Sequence, residues 1–149
     1  MWSEKGNARL SAWRKFRQIQ ENQTIENQIQ NTLDLWKLCH LGSTYYDFNE
    51  PNEWPTPWEL IIQDNYDSFT KALGISWTLI MIKDWKNQNL FLRCYKDIEQ
   101  SSYYFLVELD DLGLVLNYHF NQSISNKLIP QSSKLIREYN FIDLFNKTK

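Results

Sequence analysis

Four side chains in this chain can supply a thiol or an imidazole: Cys39, His40, Cys94 and His119. A cysteine nucleophile with a histidine base is built from such a set. Tetrahedral zinc takes the same ligands, but structural zinc sites show paired short spacings, and there are none here. Adjacent Cys39 and His40 would point about 100° apart on a helix, which works against joint ligation. Cys39 falls at the end of a predicted helix, where the dipole raises a thiol pKa. Cys94 falls inside a predicted strand, away from any helix N-terminus that would lower it. Both read as buried, reduced cysteines. No metal and no cofactor is expected.

Carboxylates offer a second chemistry. Asp64 and Asp67 precede a helix, with Glu50, Glu53 and Glu59 nearby. Such a group could serve a metal or an acid/base hydrolase. Acids in a first turn also simply complement the helix dipole. Four glycines leave no phosphate loop, no dinucleotide fingerprint and no G-x-S-x-G elbow. The Asn22, Asn121 and Asn146 sequons are chance matches at 14 asparagines.

Binding residues are better supplied. Tyr45, Tyr46, Phe48, Trp54 and Trp58 crowd one segment, and Trp and Tyr dominate interface hot spots. They serve either as partner anchors or as closure of the core over a short helix. Residues 1–20 carry a net charge of +4, including Arg9, Arg14, Lys15 and Arg17; residues 21–70 carry −8 and residues 71–149 carry +2. The basic arm suits an acidic surface better than a phosphate backbone, because Trp13, Phe16 and Ile19 on the same segment need burial.

The elements that position these residues follow from periodicity. Leu10, Trp13, Phe16 and Ile19 predict a first helix; Ile25, Ile29, Leu33 and Trp36 predict a second, with Gly42 as its stop. Thr56-Pro57-Trp58-Glu59 is a capping box with proline at the first helical position. Phe69, Leu73, Trp77 and Ile80 predict a longer inward helix containing Gly74. From Leu90 the period changes to two, giving three strands of a meander, with a turn at Asp110-Asp111-Leu112-Gly113. A last helix, capped by Ser132 or Ser133, is expected to carry Leu135, Ile136, Tyr139 and Ile142.

The expected fold is α+β: N-terminal helices packed on a small three- to four-stranded antiparallel β-meander, with a C-terminal helix. One domain is expected over 1–149. Within it, a helical N-terminal region spans 1–41, an aromatic loop 42–56, further helices 57–86, the meander 89–120, and an irregular segment with the last helix 121–149. The 15% aromatic content and net charge of −2 exclude a disordered chain, and no apolar run is long enough for a membrane helix. The first residues lack the apolar core of a secretion signal. Asn, Ile, Lys, Phe and Tyr outnumber Ala, Gly, Pro and Arg by 54 to 16, the mark of an AT-rich genome.

Two resemblances follow. Trp54-Pro55-Thr56-Pro57-Trp58-Glu59-Leu60, followed by Leu73-Gly74-Ile75-Ser76-Trp77-Thr78-Leu79, resembles a group of short uncharacterised proteins of marine tailed bacteriophages. It implies a virion or host-cytoplasm protein without an enzymatic role. Such a protein would act in tail or virion assembly through contacts of Tyr45, Tyr46, Phe48, Trp54, Trp58, Arg9, Arg14, Lys15 and Arg17. Its partners would be other phage proteins or a second copy of itself, not nucleic acid or membrane. An alternative is a phage regulator using the basic helix. The topology, a helix followed by a meander, also resembles transglutaminase-like and papain-like thiol enzymes. That implies a hydrolase of degenerate thiol-enzyme type whose core is catalytically dead, the thiol and the imidazole both missing, with Asp67 or Ser68 at the cysteine position, Ser102 or Tyr103 at the histidine position and Asn117 at the acid position.

Overall fold

The computed structural model describes residues 1–119 and 122–148, without the side chains of His119, Lys147 and Thr148. Five α-helices are described: α1 (Gly6–Gln20), α2 (Ile25–Lys37), α3 (Pro57–Ile61), α4 (Ser68–Ile80) and α5 (Phe141–Thr148). The strands are β1 (Leu90–Asp97), β2 (Ser102–Leu109), β3 (Leu114–His119), β4 (Gln122–Ser125) and β5 (Ser133–Asn140), in the antiparallel order β4-β3-β2-β1-β5. The fold is α+β, as expected, with one more strand than the upper count.

Helix α4 is the hub. Of its thirteen residues only Ser68 is not buried. A helix apolar all round must be covered on every side, and here each side has a cover. The inner face of the sheet supplies Leu90, Leu92, Phe105, Val107, Leu109 and Leu116. Trp13 from α1 and Trp36 from α2 cover the opposite side, and both indole N–H groups donate to the Thr78 hydroxyl at 3.0 Å. That hydroxyl donates in turn to the Gly74 carbonyl at 2.6 Å. Gly74 is required by closeness: a Cβ there would lie 2.0 Å from the Trp36 ring. Phe141 and Phe145 of α5 seal the far end over Trp77, with ring centroids 4.7 and 5.9 Å away.

The outer face of the sheet has a smaller cluster of Leu106, Val115 and Ile124. Beside it Arg93 bridges strands. Its guanidinium binds Asp110 bidentately at 2.7 and 2.9 Å, Glu138 at 2.6 Å and Glu108 at 3.3 Å.

The last helix starts later than the apolar spacing indicated. Residues 133–140 pair with β1 as strand β5, and only Phe141 onward is helical. Leu135 and Ile136 mimic a helical stripe, but β1 needed a partner on its free edge. A bulge opposite Cys94 and Tyr95 puts both apolar residues on the exposed edge strand. Gly42 is also not a helix stop. Helix α2 ends at Lys37, and Gly42 lies where a Cβ would meet the Asn65 side chain at 2.7 Å.

Two substitutions test the hub. Gly74→Ala should cost at least the ~1–3 kcal/mol of an overpacked core. Thr78→Val, which strands two buried indole N–H groups, should cost about 1–3 kcal/mol for each. Urea midpoints within error of the parent for both would contradict this account.

Candidate functional site at the amino end of helix α4

The start of α4 is built by a cap. The Asp67 carboxylate accepts from the Thr70 N–H at 2.8 Å, and the Thr70 hydroxyl accepts from the Asp67 N–H at 2.9 Å. The Thr44 hydroxyl donates to the other carboxylate oxygen. Asp67 is thus held by its neighbours and is not a free acid.

Three segments meet at this cap. One is the stretch after α2. There the Gly42 N–H donates to the Tyr66 carbonyl at 3.0 Å, and the Tyr66 N–H donates to the His40 carbonyl at 2.8 Å. The second is α4 itself. The third is β3, where Asn117 adopts φ +71 within an irregular stretch of the β3–β4 pairing. Its side-chain amide donates to the carbonyls of Ser68, at 3.0 Å, and Phe105 of β2, at 2.8 Å. Asparagine tolerates the left-handed region better than other side chains.

Between these segments opens a cleft of about 410 Å³, lined by Leu41, Gly42, Tyr66, Asp67, Ser68, Lys71, Asn117 and Tyr118. Ser68 is exposed at its rim and Lys71 is buried at 6% exposure. Burial pushes the Lys71 ammonium below the usual lysine range, offset to some extent by the Cys39 thiol. The Cys39 thiol is itself pushed up by burial.

The thiol and imidazole candidates do not converge. Cys39 is buried and interacts electrostatically with Lys71 but does not line the cleft, and the adjacent His40 is exposed. Cys94 lies on β1, lining a separate cavity of about 530 Å³ with Tyr45, Tyr46, Phe48, Tyr103, Phe105 and Ile136. Burial raises its thiol as well. The His119 side chain and Asn121 lie outside the described residues. Among the described residues no three His, Cys, Asp or Glu side chains gather to hold a metal. Asp64, Glu50 and Glu53 stay exposed. The Glu59 carboxyl lies below its usual range because the Thr56 N–H donates to it in the capping box.

The positions matched to the thiol-enzyme topology are only partly brought together. Ser68 and Asn117 touch. Tyr103 does not join them: it is exposed and faces the second cavity. The β2 residue beside Asn117 is Phe105, packed against Phe69 at 5.5 Å. Lys71 and Tyr118 were not among the residues singled out from sequence. The capped start of α4 was the available signal for Lys71, since position i+3 shares a face with position i.

The contact residues expected from the sequence are dispersed. Phe48 is buried among Phe69, Phe105 and Tyr139, and Trp54 packs on Phe69 and Tyr139. These two aromatics close the core. Arg9 is 4% exposed, with its guanidinium donating to the carbonyls of Ile61 at 3.0 Å and Gln63 at 2.7 Å. Neither Phe48 nor Arg9 is available to a partner, because each is consumed by contacts within the chain. Tyr45 and Trp58 stay exposed, Tyr46 is half-buried, and Arg14, Lys15 and Arg17 lie along α1. Arg17 stacks on Trp13 at 4.2 Å.

No family model matches this chain, and no curated protein matches it. Solved structures do. Calcium-bound LapG of Legionella pneumophila is similar with a TM-score of 0.72 and 13% identity, covering 92% of this chain and 77% of that one. A further LapG structure from the same organism gives 0.71 at 14% identity over 93% and 77%. The EGTA-treated form gives 0.70 at 14% over 93% and 76%. Theirs is a transglutaminase-like, papain-like cysteine protease fold. The topological resemblance is therefore the one that the fold supports. The phage resemblance finds no support, and the assembly-protein reading is overturned by these neighbours. At this identity the likeness is one of fold. Among the described residues no helix is long and apolar enough to cross a membrane.

The buried lysine makes a pH prediction. Its pKa is lower in the folded chain than in the unfolded one, so the unfolded chain binds more protons between the two values. Stability from this group therefore rises with pH across that window. Lys71→Met should be more stable than the parent at neutral pH. The difference should shrink towards the ordinary lysine value of about 10.4. A pH-independent difference in urea midpoint would contradict it.

Proposed function

We propose that this chain is a small hydrolase-type protein of degenerate thiol-enzyme fold, and that it engages an amide or ester carbonyl in the cleft at the amino end of α4. The observation that carries the reading is the Asn117 amide, which ties the first residue of α4 to β2 and β3. These are the elements on which the thiol enzymes set cysteine, histidine and acid, and a cleft of about 410 Å³ lies at their junction. That volume falls within the usual range of ligand pockets. The partial positive charge of a helix N-terminus favours the oxygen of a polarised carbonyl. The matched positions carry neither group: Asp67 or Ser68 stands where the thiol would open the helix, and Ser102 or Tyr103 where the imidazole would stand.

Photo-crosslinking with a benzophenone-bearing peptide library tests the site. Adducts should map to residues 41–44, 66–71 and 117–118, and Ser68→Trp, which fills an exposed rim position, should abolish capture. Equal capture by the Ser68→Trp variant, or adducts confined to other surfaces, would refute the reading.

A further inference from the structure

The chemistry left in the cleft after removal of thiol and imidazole is a hydroxyl and an amine. Ser68-Phe69-Thr70-Lys71 opens α4, and residues three apart on a helix share a face. Both Ser68 and Lys71 line the cleft. Ser68 is exposed at the rim, and Lys71, one turn further along the helix, is buried at 6% exposure. A serine followed three residues later by lysine is one part of a known serine acyl-transfer signature, whose other parts, S-D-N and K-T-G, this sequence lacks.

We propose that Ser68 is an acyl-accepting nucleophile and Lys71 its general base, so that the cleft hydrolyses esters or activated amides through an acyl-serine intermediate. This rests on the reading of the cleft as a substrate site. The neutral Lys71 amine takes the Ser68 hydroxyl proton as Oγ bonds to the carbonyl carbon. The carbonyl electron pair moves to oxygen. Asp67 already occupies the Thr70 N–H through its carboxylate and the Lys71 N–H through its carbonyl. The N–H groups of Ser68 and Phe69 are then the first-turn donors for that oxyanion. Collapse breaks the carbonyl–leaving-group bond, and the Lys71 ammonium returns the proton to the departing alkoxide or amine. Water then adds to the acyl-serine, again losing a proton to Lys71, and the carboxylic acid leaves with Ser68 restored.

Three further features fit these roles. Burial lowers the Lys71 pKa, which raises the fraction of unprotonated amine near neutral pH. The Asp67 carboxylate, the negative group nearest the nucleophile in sequence, is bound by Thr44 and Thr70. Asn117 fixes the Ser68 carbonyl and so the backbone that carries the nucleophile.

The full chain is incubated with a fluorophosphonate probe, which forms a P–O bond to an activated serine and releases fluoride. Intact mass and peptide mapping locate the adduct. The expected result is a single adduct on Ser68, absent in Ser68→Ala. The labelling rate should rise with pH along one deprotonation below the ordinary lysine range. It should fall about 100-fold or more in Lys71→Met, the usual worth of a general base. A missing Ser68 adduct, with peptide crosslinking at the cleft intact, would overturn the pair while leaving the binding site standing. An unchanged rate in folded Lys71→Met would overturn the lysine's role. Should that variant not fold, the parent decides: a labelling rate flat across the pH range overturns the proposal.

Discussion

The structure turns on one hydroxyl. Thr78 Oγ1 accepts the indole N–H groups of Trp13 and Trp36 and donates to the Gly74 carbonyl. Two helices distant in sequence are thereby pinned to the same turn of α4. The arrangement works only because residue 74 has no side chain, so that the Trp36 ring can rest against helix backbone. A buried polar network is stable when every member is satisfied, and this one uses each N–H it contains. With α1 and α2 fixed on one side and the sheet on the other, α4 can be almost wholly buried and yet end at a defined place, with Ser68 open to solvent.

That end point makes the cleft. A helix start needs partners for its first N–H groups, and Asp67 meets some of that need. The chain approaching Asp67 is fixed by Tyr66, whose hydroxyl donates to the carbonyls of Leu60 and Ile61. Burial raises the Tyr66 pKa well above the ordinary tyrosine value, so it remains a donor. On the opposite wall Asn117 accepts a left-handed backbone to reach two carbonyls at once. Strain of this kind persists where surrounding structure over-determines it. Polar groups from three segments converge here, while Phe48 and Trp54 of the preceding loop pack on Phe69 and Tyr139 and seal the adjoining core.

Much of the scaffold was legible in the sequence. The capping box at Thr56, the hairpin at Gly113 and the period-two strands β1 and β2 all rest on local rules, and local rules carried them. Strand β5 was not legible, because Leu135 and Ile136 fit a helical stripe and the edge of β1 that recruits them is more than 35 residues away. The aromatic cluster showed its composition but not its side. Phe48 and Trp54 look the same in sequence whether they face a partner or the rings of Phe69 and Tyr139. Arg9 misled for a related reason: a basic residue in a basic helix reads as surface, whereas its use depends on carbonyls more than fifty residues on. Of the site, Asp67, Ser68 and Asn117 were found by matching topology. Lys71 was missed because a lysine inside an apolar helix carries no mark of its depth.

Arg9 also links two places that the chain order keeps apart. Its guanidinium grips the carbonyls of Ile61 and Gln63, just ahead of the turn into α4, and those of Trp2 and Glu4 at the chain's beginning. Trp2 is itself held, donating to the Leu35 carbonyl and packing on the rings of Trp36 and Tyr66. The amino-terminal residues are thus a mechanical brace for the segment that sets Ser68. Displacing those residues would disturb the cleft by two routes, through the Arg9 bonds to residues 61 and 63 and through the Trp2 ring on Tyr66, which lines it.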